Sequence, residues 1–233
     1  MRTLIREHKH EAPHHHHHLL KGIFEGITHH NRENRQPFPS IDFTGPIGSG
    51  KSTYADALAA HIKKETGQEV PRFSMSAKIM EEAIRRYGTA YKTGTEEKDR
   101  ILLGNLAMEM AGKDPAYWGK LLIDDIKSDP CNVPFIMDGL RLPSDAETFR
   151  KAFPNDFAII GLDTDPAKRR EKNTSLSDDE LRAPAELYLD GIHSDLKFFN
   201  EYDQGAMKGH TSFLFEIMRN GTLHEMLVSS HRN

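Results

Sequence analysis

The sequence has few of the features that mark secreted, membrane or fibrous proteins. Its 233 residues include one cysteine, Cys131, which excludes an internal disulfide and a zinc site built on cysteines. It contains no run of 18 apolar residues, so we expect no membrane-spanning helix. The first 18 residues are rich in Arg and His and lack the apolar stretch of a secretory signal. These absences predict a cytoplasmic protein that does not act in a membrane.

The chain also lacks a strong excess of one charge. Its 31 Lys and Arg residues are set against 35 Asp and Glu, which gives a formal net charge of −4. This balance argues against a broad nucleic-acid-binding surface but permits a local basic pocket. Hydrophobic residues make up 37% and charged residues 28% of the chain, a composition that is lean in apolar residues but far from that of a disordered protein. We therefore expect a domain that binds small molecules and no nucleic acid, as a monomer or homodimer.

Residues 1–36 differ in composition from the rest of the chain. Nine of the 14 histidines lie there, five of them consecutive at 14–18. A His tract can bind metal ions, but an affinity tag or a natural tail is the interpretation we favour. The composition predicts a flexible His-rich extension over 1–36 and a folded domain over 37–233.

A glycine-rich loop is the most informative segment. The pattern Gly45-x4-Gly50-Lys51-Ser52 follows a β-prone run at 40–44 and precedes a helix-friendly run, which is the context of a P-loop. Glycines let backbone N–H groups close around phosphate oxygens, and the amino terminus of the following helix favours anions. The lysine reaches the β- and γ-phosphates, and the serine hydroxyl ligates magnesium. The loop predicts ATP and Mg²⁺ as ligands, bound by Gly45, Ile47, Gly48, Ser49, Gly50, Lys51, Ser52 and Thr53.

Strand and helix patterns alternate along the rest of the chain. Strands are predicted at 40–44, 69–74, 133–137, 157–162 and 213–218, and helices at 51–65, 76–87, 95–111, 115–128, 144–152, 177–191 and 222–229. Ser144-x-x-Glu147 and Ser177-x-x-Glu180 have the spacing of capping boxes. The alternation predicts an α/β fold with a five-stranded parallel sheet flanked by helices. The helical stretch between the second and third strands predicts an insertion that holds an acceptor.

Two groups of charged residues follow predicted strands. Asp138 ends the third strand and Arg141 comes shortly after it. Ligands bind at the carboxyl ends of such strands, where a carboxylate can face magnesium and an arginine can bind phosphate. The alternative is a buried strand that simply ends in Asp at a turn.

The second group follows the fourth strand and consists of Lys168, Arg169, Arg170 and Lys172. A lid over a transferring phosphoryl group needs such a cluster to neutralise charge, whereas a solvated helix face is the alternative. Arg182, in the next helix, is a further candidate for this lid. The only tryptophan, Trp118, is either a base-stacking residue or a core residue.

Taken together, these segments resemble the bacteriophage deoxynucleoside monophosphate kinases, within the P-loop nucleoside monophosphate kinase group. The resemblance spans about residues 40–228 and is carried in order by 45–53, 73–79, 100–107, 115–118, 136–147 and 215–223. Asp138-Gly-Leu-Arg141 is one residue longer than the Asp-x-Arg of the family. Arg219-Asn220-Gly221-Thr222 differs from the family's Asn-Asp-Gly-Thr.

The resemblance implies transfer of the ATP γ-phosphoryl group to a (deoxy)nucleoside monophosphate in the cytoplasm, that of the host if the protein is phage-encoded. The implied catalytic residues are Lys51, Asp138, Arg141, Arg169 and Arg170. The implied acceptor-binding residues are Lys78, Arg100, Trp118, Asp138 and Arg141, and the implied further ATP contacts are Asn220, Gly221 and Thr222.

Two other functions fit the same residues. One is a P-loop kinase of another phosphorylated small molecule, such as phosphomevalonate or dephospho-coenzyme A. The other is a non-catalytic nucleotide-binding module. A phosphate-monoester acceptor is largely ionised at neutral pH, since its second pKa is about 6. A kinase of such an acceptor needs positioning and charge neutralisation rather than a strong general base.

Overall fold

One parallel sheet organises residues 38–181 and 189–230, which are the residues described by this computed structural model. Its strands are β1 (Ser40–Thr44), β2 (Arg72–Ser74), β3 (Ile136–Asp138), β4 (Phe157–Thr164) and β5 (Leu196–Asn200). Their order across the sheet is β2-β3-β1-β4-β5, and each pair of neighbours is parallel. Every residue of β1 is buried, as expected for a central strand with helices on both faces. The predicted α/β fold with five parallel strands is confirmed.

The helices form a layer on each face of the sheet. They are α1 (Lys51–Thr66), α2 (Met75–Tyr87), α3 (Arg100–Lys113), α4 (Tyr117–Lys127), α5 (Pro143–Ala152), α6 (Pro166–Lys172), α7 (Asp178–Leu181), α8 (Gln204–Arg219) and α9 (Thr222–Ser230). Apolar side chains of α1, α8 and α9 pack on one face, and those of α2 to α5 pack on the other. Single 3-10 turns occur at Pro130–Asn132 and Leu189–Gly191. Within the described residues, no helix is both long and apolar enough to cross a membrane.

The register brings the ends of the strands together. Phe43 in β1 pairs with Asp138 in β3, Thr44 pairs with Gly161 in β4, and Thr164 at the end of β4 pairs with Asn200. The connections that leave these strands therefore meet at one edge of the sheet. This carboxyl edge holds the candidate site.

The predicted fifth strand is wrong. Residues 213–218 belong to α8, and β5 lies earlier in the chain. Leu214, Phe215, Ile217 and Met218 are buried whereas Phe213 is 51% exposed, which is a helical pattern of burial. A short apolar run fits a strand or a buried helix equally well, and only its surroundings decide between them.

Of the two predicted capping boxes, one forms. Ser177 N–H donates to Glu180 Oε1 at 3.3 Å, and Glu180 N–H donates to Ser177 Oγ at 3.1 Å. The box at Ser144 does not form, because α5 begins one residue earlier and Asp145 accepts the Leu142 N–H at 3.1 Å. The first part of the predicted helix 177–191 is observed as α7. Residues 182–188 of that prediction, which include Arg182, lie outside the described residues. The predicted extension over 1–36 also lies outside them.

Candidate active site

The P-loop joins β1 to α1 at the carboxyl edge of the sheet. Gly48 and Gly50 adopt left-handed backbone conformations, with φ of 76° and 93°. A Cβ atom at Gly48 would lie 2.6 Å from the Asn173 side-chain nitrogen, and one at Gly50 would lie 2.7 Å from that of Asn200. Both positions therefore require glycine, because the backbone angle is left-handed and because an asparagine side chain approaches closely.

The helix α6 and the residue that follows it hold the P-loop from one side. Arg169 in α6 donates from Nη1 to the Ile47 carbonyl oxygen at 2.9 Å. Asn173, directly after α6, donates to the Gly48 carbonyl oxygen at 3.1 Å. The lid cluster predicted from sequence thus contains a residue, Arg169, that contacts the phosphate-binding loop.

The segment after β5 holds the P-loop from another side. Asn200 donates to the Ser49 carbonyl oxygen at 2.9 Å, and the Tyr202 hydroxyl donates to the Gly48 carbonyl oxygen at 2.8 Å. Sequence reasoning missed Asn200 and Tyr202, because it placed the fifth strand elsewhere and left them within no element. A short β-prone run that ends in Asn, Leu196–Asn200, was the available signal. These contacts fix the backbone of the loop, and a pre-ordered loop lowers the cost of binding a phosphate chain.

Lys51 starts α1 and is only 9% exposed. Its Nζ donates to the carbonyl oxygens of Gly45 at 2.9 Å and Pro46 at 3.0 Å. The ammonium group is thereby kept against the loop rather than out in solvent. Ser52 follows in the first turn of the helix, and its side chain is exposed. Within residues 38–181 and 189–230, no cluster of three His, Cys, Asp or Glu residues could hold a metal. A hydroxyl as the protein ligand suits magnesium, which keeps several waters and takes phosphate oxygens as ligands.

Asp138 lies at the end of β3 and is almost buried. Arg72, at the start of β2, places Nη2 at 3.0 Å from Asp138 Oδ2 and also pairs with Asp56 of α1. Arg72 was not among the predicted site residues. Asp42, in the middle of β1, is completely buried, and burial together with the charge of Asp138 holds its pKa well above the usual range. The carboxyl edge therefore carries more buried acid than the sequence pattern revealed.

A cleft next to the P-loop contains a group of cations. It extends from Ile47 of the P-loop to α2 and α3, and its apolar wall includes Ile79, Leu103 and Ala107.

Lys98, Arg100 and Arg141 line the cleft, and Glu180 of α7 is the acidic member of the described lining. Partial burial and the nearby charges of Arg100 and Arg141 lower the pKa of Lys98. Glu180 offsets one of these three positive charges, so the lining keeps a net positive charge that suits a multiply charged group such as phosphate.

The predicted acceptor residues divide into two groups. Arg100 and Arg141 lie in the cleft together, as expected. Lys78 instead lies on α2, where it pairs with Glu81 and with Asp125 of α4.

Trp118 is a core residue. It is 2% exposed, and its indole N–H donates to the Ala107 carbonyl oxygen at 3.0 Å. The structure thus favours the core interpretation of Trp118 over base stacking.

The two predicted lid arginines have different surroundings. Arg169 reaches the P-loop, whereas Arg170 pairs with Asp178 at the surface, where both side chains are more than half exposed. Adjacent helical residues point in different directions, so only one of the pair can face the loop.

The structure does not bring Asn220, Gly221 and Thr222 to the P-loop. The helix α8 starts after β5 at the carboxyl edge, and its 16 residues carry the chain back by about 24 Å, at about 1.5 Å per residue. In α9, His224 Nδ1 lies 3.2 Å from the carbonyl oxygen of Asn155, which precedes β4. The tail therefore lies at the amino edge of the sheet, where Asn220 Oδ1 accepts the Thr222 N–H at 2.9 Å and shapes the turn between helices.

The chain is similar in structure to several kinases of small molecules. A gluconokinase from Sinorhizobium meliloti 1021 is 17% identical with a TM-score of 0.51, and the similarity covers 79% of this chain and 97% of that one. A shikimate kinase from Acinetobacter baumannii is 13% identical (TM-score 0.47), with coverage of 79% and 94%. The APS kinase of Mycobacterium tuberculosis is 12% identical (TM-score 0.47), with coverage of 79% and 99%. No protein-family model matches this chain, and no curated protein sequence does.

The likeness to the gluconokinase shows the fold of this chain. It is the α/β fold of the P-loop kinases, with the glycine-rich loop after the central strand.

Proposed function

We propose that this protein is an ATP-dependent kinase whose acceptor is a phosphorylated small molecule, and that the acceptor is a (deoxy)nucleoside monophosphate. One observation carries the proposal: the cleft lined by Lys98, Arg100 and Arg141 adjoins a fully formed P-loop. A site that transfers phosphoryl groups between two anions must hold both and screen their repulsion.

The P-loop provides the ATP half of the site. When ATP binds, the Lys51 ammonium would exchange its carbonyl partners for β- and γ-phosphate oxygens. The Ser52 hydroxyl would hold a magnesium ion, which would supply charge neutralisation. Arg169, bound to the Ile47 carbonyl oxygen, lies beside the loop where charge develops during transfer. Asp138, paired with Arg72, orients water or the acceptor at the end of β3.

The cleft provides the acceptor half. A single carboxylate needs one cationic partner, whereas a phosphate dianion can bind several, so three cations favour a phosphate-bearing acceptor. A monoester already ionised at neutral pH attacks without help from a strong base. The apolar wall at Ile79, Leu103 and Ala107 suits a flat, weakly polar group such as a nucleobase.

The test is an ADP-release assay across all ribo- and deoxynucleoside monophosphates. Phosphomevalonate, dephospho-coenzyme A, gluconate and shikimate serve as competing acceptors, and a reaction without acceptor measures hydrolysis. We expect turnover with at least one nucleotide that exceeds the other acceptors by about 100-fold or more, because the site is built around the correct acceptor. Turnover only with a non-nucleotide acceptor would move the protein to another kinase class, and hydrolysis that no acceptor stimulates would indicate a nucleotide-binding module.

A further inference from the structure

Glu180 is the most unusual charged residue of the acceptor cleft. It lies on the short helix α7, beyond the lid helix, yet it is only 3% exposed. Its Oε2 lies 3.2 Å from Arg100 Nε, and its Oε1 lies 3.6 Å from Lys92 Nζ. A carboxylate buried in this way costs free energy unless charged partners compensate it, so its position is tied to those cations.

The carboxylate is also fixed from its own side. Glu180 and Ser177 form the reciprocal capping box of α7, in which Glu180 Oε1 accepts the Ser177 N–H. One oxygen is therefore held by the backbone, and the other is left to face Arg100. This division gives the carboxylate one orientation in the cleft.

Glu180 Oε2 forms an ion pair with Arg100 at Nε, and the contact is electrostatic, since Oε2 accepts no hydrogen bond. In the described part of the chain this ion pair is the contact that engages Arg100, and it leaves the two terminal nitrogens without a protein partner. Those nitrogens are one side of the planar fork that binds two oxygens of a phosphate at once. A carboxylate on the Nε side attracts that part of the guanidinium and leaves the terminal nitrogens to the cleft.

We propose that Glu180 is the positioning residue of Arg100: it holds the guanidinium by the Nε edge, so that the terminal nitrogens bind the phosphate of the acceptor. This rests on the proposed function, because it assumes a phosphate-bearing acceptor in the cleft. Glu180 also links the two halves of the site, since it belongs to the same segment, 166–181, as Arg169.

The test is Glu180→Gln, which keeps the side-chain volume and retains a residue type that completes a capping box. Losing the charge frees the guanidinium, and we expect KM for the acceptor to rise about tenfold, as for the loss of one charge-assisted contact. We expect kcat to change by less than about threefold and KM for ATP to stay constant, because Glu180 contacts neither the P-loop nor ATP. The matched control is Glu97→Gln, which removes the 3.0 Å partner of Lys92 without touching Arg100.

Coupling to Arg100 separates positioning from a structural role. Lysine at position 100 keeps the charge but has no planar fork, so Glu180→Gln should add no further loss of acceptor affinity in an Arg100→Lys protein. Additive losses, or equal losses in Glu97→Gln, would overturn the proposal. Circular dichroism and Tm establish that each variant folds. If Glu180→Gln does not fold, Glu180→Asp replaces it, and we again expect a raised KM for the acceptor with an unchanged KM for ATP.

A binding measurement keeps this inference separate from the proposed function. Calorimetric titration with inorganic pyrophosphate, in the absence of ATP, reports anion affinity of the cleft independently of turnover. A Lys51→Ala background removes the contribution of the P-loop lysine. We expect affinity to fall about tenfold in Glu180→Gln and to stay unchanged in Glu97→Gln. If the wild type has no kinase activity but this difference persists, the proposed function fails and the positioning role stands. Equal affinity in the three proteins would end the positioning role.

Discussion

The two edges of the sheet carry motifs of similar appearance that have different roles. At the carboxyl edge, glycines with positive φ, buried acids and clustered cations surround the P-loop. At the amino edge, Asn220-Gly221-Thr222 also contains a glycine with positive φ and an Asn that binds backbone, yet it connects two helices. A Gly- and Asn-containing turn does not by itself indicate a ligand, and its place in the topology decides its role.

The contrast extends to how polar groups are used. At the carboxyl edge, the side-chain amide of Asn200 donates a hydrogen bond to a P-loop carbonyl oxygen. At the amino edge, aromatic packing dominates, with the rings of Phe38 and Phe215 separated by 6.3 Å. The proposed site lies where charged groups are buried, which costs stability, whereas apolar packing at the opposite edge is stabilising. Substitutions at the two edges should therefore affect different quantities.

The largest expected effect is that of Lys51→Ala at the carboxyl edge. We expect phosphoryl transfer to fall at least about 1,000-fold, because the lysine supplies charge where the transition state develops it. The fold should be retained, since the Lys51 ammonium binds carbonyl oxygens of the loop and belongs to neither apolar core. Initial rates and far-UV circular dichroism measure the two quantities, with the surface variant Lys64→Ala as control. A folded Lys51→Ala protein with wild-type turnover would contradict the proposed function.

Asp145 should show the cost of buried charge at this edge as a dependence of stability on pH. Burial raises its pKa from 3.8 to about 6, against the opposing effects of the Leu142 and Arg141 N–H groups and the charge of Arg141. The folded state therefore binds the proton more tightly than the unfolded state, and stability falls as pH rises from about 4 to about 6. A shift of this size corresponds to about 3 kcal/mol.

The comparison with Asp145→Asn isolates this contribution, because the amide keeps an acceptor for the backbone but does not titrate. The free energy of unfolding is measured in urea at pH values from 4 to 7.5. Relative to the variant, that of the wild type should decrease as pH rises from about 4 to about 6. Asp42 is present in both proteins, and the charge of Asp145 is the weakest of the effects that raise its pKa, so most of its contribution cancels. Parallel curves would show that Asp145 does not carry the raised pKa.

The features that sequence could predict are those encoded locally. The P-loop is one, since its glycines, lysine and serine all act within one strand–loop–helix unit. The capping box of Ser177 and Glu180 is another, because its two hydrogen bonds join residues three apart. The sheet was predictable as an architecture, because alternating strands and helices leave few topologies.

The missed features depend on contacts between distant residues. Nothing near Lys98 in the sequence indicates that it meets Arg141, and nothing near Asn200 indicates that it reaches Ser49. The misplaced fifth strand had a further consequence. A strand ending near residue 218 would have delivered Asn220 to the carboxyl edge, whereas a helix there delivers it to the amino edge.

The neighbouring lid arginines provide a smaller and sharper test. Arg169→Ala should lower kcat about 100-fold, as expected for a charge beside the transferring group, while Arg170→Ala should change it less than about twofold. Arg170 is the matched control, because its partner Asp178 is a surface residue. Rates are measured at saturating ATP and acceptor, with Tm recorded for both. Equal losses would mean that the cluster acts through its total charge rather than through the contact with Ile47.

The smallest expected effects compare the same substitution at opposite edges. Asn200→Ala removes the contact with the Ser49 carbonyl oxygen, and we expect KM for ATP to rise roughly tenfold, the effect of about one lost hydrogen bond in an ordered loop. Asn220→Ala removes the acceptor for the Thr222 N–H, so it should lower the free energy of unfolding by about 1 kcal/mol and leave KM for ATP unchanged. Steady-state kinetics and urea unfolding of both variants show whether each asparagine acts in nucleotide binding or in stabilising the fold. A raised KM in Asn220→Ala, with Asn200→Ala unaffected, would return the tail motif to the nucleotide site and reverse the roles assigned to the two edges.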